Sequence, residues 1–96
     1  MRKKMTKTQK NLESFVNNTI RGFERTLTVA KENDWNVVSL MNSMDADVDS
    51  VHGALMFAKI YEEKITDETM DKLMNKLYEA KTEIVNRFIY DYGNSK

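Results

Sequence analysis

A chain of 96 residues can bury one modest hydrophobic core, and it makes a single domain over 1–96. With 41% hydrophobic and 31% charged residues, no Pro and three Gly, it has the composition of a folded chain of long helices rather than a disordered segment. The absence of Cys excludes a disulfide scaffold, thiolate chemistry and a Cys zinc site, and a net charge of zero sets it apart from uniformly basic nucleic-acid binders.

The first helix begins near Thr6. Thr6-Lys7-Thr8-Gln9 fits the S/T-x-x-Q capping box, in which the Thr oxygen and the Gln side chain satisfy free backbone N–H groups. Leu12, Phe15, Val16, Ile20, Phe23, Leu27 and Ala30 then recur at steps of three and four, one apolar stripe of a helix. The second helix follows from Asp34 as N-cap, with Trp35 just inside. Val37, Met41, Met44, Val48, Val51, Leu55 and Ala58 alternate steps of four and three, a heptad seam. The seam crosses Asp45-Ala46-Asp47-Val48-Asp49-Ser50, poor helix-forming sequence. Its phase holds there, which favours one helix; a break near Asp45–Asp47 would give a four-helix variant. The third helix starts after Ile65, capped by Thr66 or Asp67, with Asp67, Glu68 and Asp71 placed to suit the helix dipole. Its stripe is Met70, Leu73, Met74, Leu77, Ala80, Ile84, Phe88 and Ile89, and it stops near Tyr92-Gly93-Asn94.

The expected fold is therefore all-α, an antiparallel up-down-up three-helix bundle over about 6–33, 35–64 and 67–92, with residues 1–5 and 94–96 frayed. Connections this short force neighbouring helices to run antiparallel. Charge is uneven along the chain: residues 1–33 hold eight Lys/Arg against three Glu, and residues 34–64 hold two Lys against six Asp/Glu. Opposite charge on the first two helices is expected to favour their packing, through pairs each worth at most about 1 kcal/mol.

No apolar run approaches the roughly 20 residues that span a bilayer. The basic start Met1-Arg2-Lys3-Lys4 leads into Lys7, Gln9, Lys10 and Asn11, not into the apolar stretch of a secretion signal. No membrane association and a cytoplasmic location are expected, that of a host if the gene is phage-borne. The Lys- and Asn-rich, Pro-free composition suits an AT-rich bacterial or phage genome.

Chemistry-bearing patterns are few. Asp45, Asp47 and Asp49 open like a calcium loop, but Ser50 stands where that loop needs Gly and Met56 where it needs Glu. Asp49-Ser50-Val51-His52 is one carboxylate-x-x-His motif, with Asp45 a turn earlier; bundle di-metal sites need two such motifs. Arg21 and Arg25 are one turn apart, as a dicarboxylate pocket would want, yet they flank the apolar stripe. A solvated face explains each pattern more simply, so no catalytic, cofactor or metal residues are assigned and no enzyme activity is expected.

Two binding readings remain. More apolar side chains exist than three seams need. Leu40, Met56, Ile60 and Tyr61 lie off the second stripe, and Tyr90 and Tyr92 end the third helix. Exposed aromatic and Met side chains are common interface anchors. The leading expectation is a non-enzymatic helical interaction protein, an inhibitor, immunity factor or phage-type modulator, with Met56, Ile60, Tyr61, Tyr90 and Tyr92 as interface candidates. Its partner would be another protein, with a homodimer as one form. The alternative is a nucleic-acid-binding accessory protein using Arg2, Lys3, Lys4, Lys7, Lys10, Arg21 and Arg25 on phosphates. The first reading predicts an exposed apolar patch, the second a continuous basic stripe.

Overall fold

Three helices in chain order carry the structure: α1 (Lys7–Glu32), α2 (Val37–Ile60) and α3 (Asp67–Asn94). This structure, a computed structural model, describes residues 7–61 and 65–94, the side chains of Thr8 and residues 92–94 excepted. The proposed Thr6 cap thus lies outside the described residues. Each helix packs on both others, giving the expected three-helix bundle. At roughly 1.5 Å per residue, helices of 24 to 28 residues make a rod. Its extents are 55 × 25 × 17 Å and its radius of gyration is 15.6 Å, against about 12.5 Å for a compact domain of this length.

The core is a column of Val16, Phe23, Leu27 and Ala30 from α1, Leu40, Met44, Val48, Val51, Leu55 and Ala58 from α2, and Met70, Leu73, Met74, Leu77, Ile84 and Phe88 from α3. Ile65, ahead of α3, closes one end. No polar or charged residue is buried among those described. α2 runs unbroken through Asp45–Ser50, so the four-helix variant does not form. The apolar side chains on that stretch keep one phase, and burial of Met44, Val48 and Val51 outweighs the weak helix propensity of the Asp residues between them.

Asp34 departs from its expected role. Its φ is 53°, the left-handed region that Asp tolerates better than most residues. The Trp35 amide donates to the Ala30 carbonyl at 2.9 Å and the Asn33 amide to Val29 at 3.0 Å. A left-handed residue followed by an amide reaching back five residues is the Schellman closure of a helix. Asp34 therefore terminates α1 rather than capping α2, and Trp35 packs against the core from the turn. The N-cap of α2 is Asn36, whose side chain accepts from the Ser39 amide at 2.8 Å. Thr66 caps α3 as expected, accepting from the Thr69 amide at 3.1 Å.

At the start of α2 the inward side chain also differs from the expected one. Leu40 is fully buried, whereas Met41 is 36% exposed and Val37 only partly buried. Leu40, not Met41, continues the seam. Phe15 and Ile89, placed on the stripes of their helices, are also exposed.

Inter-helix charge pairing centres on α3. Arg87 Nη1 reaches Glu24 Oε1 at 2.6 Å, and Lys31 pairs with Asp91, Lys81 with Asp45 and Lys59 with Asp67. Among the described residues no ion pair joins α1 to α2. The charges of α1 and α2 that are paired are paired with α3.

Candidate functional site: the outer faces of α2 and α1

The C-terminal turns of α2 carry the most exposed apolar group on one helix. Ala58 and Leu55 point into the core. In a 3.6-residue helix the face opposite that line turns outward. Ile60 is 53% exposed, Phe57 55% and Tyr61 76%. The Phe57 and Tyr61 rings lie 5.1 Å apart, tilted by 35°, within the range of a favourable aromatic pair. Ile60 and Tyr61 are thus where sequence reasoning placed them. Met56 is not. It is partly buried and packs against the core. Phe57 takes its place. Sequence reasoning named no role for Phe57; its one-turn spacing from Tyr61 is the only sequence signal for it.

Gly53 lies one turn before Phe57 on this outward face. A side chain built there would meet nothing within 4 Å, so no intramolecular contact requires Gly. A mid-helix Gly costs about 0.5–1 kcal/mol relative to Ala. Gly53→Ala is expected to raise stability by that amount, a gain of about 2–8 °C in Tm for a domain of this size, readable by thermal circular dichroism. A loss of stability would mean that some contact does need the bare backbone.

Tyr90 is 71% exposed, but it sits near the opposite end of the rod, about 35 Å along α3 from its start by the helical rise. It does not join the α2 face. The Tyr92 side chain lies outside the described residues.

The cationic candidates behave differently. Arg2, Lys3 and Lys4 lie outside the described residues. Lys7, Lys10, Arg21 and Arg25 are all exposed. Together with exposed Ser14 and Asn18 they follow steps of three and four, so they fall on one line opposite the buried stripe of Val16, Phe23 and Leu27. No ion pair among the described residues involves any of the four cations. Arg21 Nη1 donates to Asn18 Oδ1 at 3.1 Å along the line. Glu24 is the nearest acid in sequence to Arg25. It is held by Arg87, and that hydrogen bond and charge raise the guanidinium pKa above its ordinary value. Glu13 turns to the other flank, into a groove shared with Gln9, Thr69, Lys72, Leu73 and Lys76.

The acidic and histidine motifs do not assemble. Asp45 pairs with Lys81, and His52 is exposed. Among the described residues no three His, Asp or Glu side chains come together as a metal ion would need. No helix is long and apolar enough to cross a membrane among those residues. No family model, curated protein or solved structure matches the chain.

Proposed function

We propose that this protein is a small helical docking module that binds another protein through the outward face at the C-terminal end of α2. One observation carries the reading: Phe57, Ile60 and Tyr61 are each more than half exposed within two helical turns. Single exposed apolar residues are ordinary on a monomer. Three adjacent ones, two of them aromatic, have the composition of an interface anchor. Gly53 on the same face supports it, because the monomer gains nothing from its missing side chain. In this reading the bundle performs no chemistry, and what it changes is the activity or assembly of its partner.

The test is a photo-crosslinking amino acid placed at Ile60, with Glu68 on the exposed side of α3 as the control position, in the cells that carry the gene. A discrete adduct from position 60 and none from position 68 is the expected result. No adduct from 60, or the same adducts from both, would remove the reading. Light scattering of the purified chain identifies a second copy as the partner if it gives a dimer mass that Tyr61→Ser returns to monomer.

A further inference from the structure

We infer that the outward face of α1 is a second, separate binding surface, one that rests on the phosphate backbones of duplex nucleic acid. Lys7, Lys10, Ser14, Asn18, Arg21 and Arg25 form an exposed line with four cations; the first acid on its continuation is Glu32, two turns beyond Arg25. Lys31, Lys59, Lys81 and Arg87 are each spent on an ion pair. The four cations of the line are not, so their charge is available to an outside anion.

The spacing suits a duplex. Lys7 and Lys10 form one pair and Arg21 and Arg25 another, their centres about 22 Å apart at the helical rise. A helix laid across the major groove, about 12 Å wide, can rest one pair on each bordering backbone, the long Lys and Arg side chains absorbing the difference. Ser14 and Asn18 then lie over the groove, as polar groups that can bond to phosphate or base edges. A single strand fits less well, because the line holds no aromatic side chain on which bases could stack. A membrane surface fits less well too, because the line has no apolar side chain to insert. The acidic residues of α2, Asp47 and Asp49, belong to a neighbouring helix. That helix packs on the buried side of α1, the side of Val16, Phe23 and Leu27, opposite the line.

The consequence is a sequence-independent affinity with a defined salt slope. Each phosphate neutralised contributes about −0.9 to the slope of log K against log salt. The four contacts give about −3.6. The experiment is fluorescence anisotropy of a labelled DNA duplex of about 30 bp with the full chain, between about 50 and 200 mM NaCl. Affinity is expected to fall about a hundredfold or more across that range. Arg21→Gln/Arg25→Gln, shown to be folded by circular dichroism, is expected to flatten the slope by about 1.8, and Lys7→Gln/Lys10→Gln to do the same. Three results would each overturn the inference. One is no binding at the lowest salt. Another is a slope that neither double variant moves. The third is tighter binding to phosphatidylserine vesicles or to a single strand of equal length. The α2 docking face takes no part in any of these measurements, so the two surfaces stand or fall separately.

Discussion

Phe23→Ala is expected to cost about 3–5 kcal/mol, the range for truncating a fully buried aromatic side chain. Phe23 has no exposed surface and is among the largest fully buried side chains. It comes from the middle of α1 and is part of the buried cluster to which all three helices contribute, so no single helix can shift to fill the space. Domains of this class are stable by only about 5–15 kcal/mol, and a loss of this size takes a large share of that margin. Chemical denaturation followed by circular dichroism measures it. A loss under about 1 kcal/mol would mean that the core column does not close around α1 as described.

Leu40→Ala and Met41→Ala form the second decisive comparison. With Leu40 fully buried and Met41 36% exposed, the first is expected to cost about 2–5 kcal/mol and the second less than about 1 kcal/mol. The unbroken 41–44–48 heptad spacing would reverse the order. Two adjacent substitutions therefore read out the phase of α2 at its start, with the same denaturation curves.

That phase shows where the sequence was legible and where it was not. Strong periodicity carried most of α1 and α3, since Val16, Phe23 and Leu27 or Leu73, Leu77 and Ile84 admit only one inward face. It also carried α2 through its Asp-rich stretch. At the start of α2 two apolar residues stand side by side, and steps of 40–44–48 and 41–44–48 are both helical. The choice depends on how the other two helices pack on that turn. Where α2 begins was equally hidden, because it depends on Asp34 adopting a left-handed conformation to close α1, a role its residue type allows as readily as an N-cap. The candidate surfaces were legible to the same degree. The line from Lys7 to Arg25 follows from helical spacing alone. The exposure of Phe57 and the partial burial of Met56 depend on how α1 and α3 flank α2, which no local pattern encodes.

The absence of any buried polar group among the described residues also bears on how the helices are aligned lengthwise. A hydrogen-bonded pair inside a core fixes the axial offset of two helices, because sliding would leave a donor or acceptor stranded in an apolar medium. This core has no such lock, and its Met44, Met70 and Met74 are side chains that refill displaced space easily. Axial register is therefore set from outside the core: by the turn at Asn33–Asn36, by the exposed pairs of Glu24 with Arg87 and Lys31 with Asp91, and by the part-buried pair of Asp45 with Lys81. A ligand that engages α1 or α2 along its length pulls on an element whose sliding is resisted by shape and a few surface charges alone.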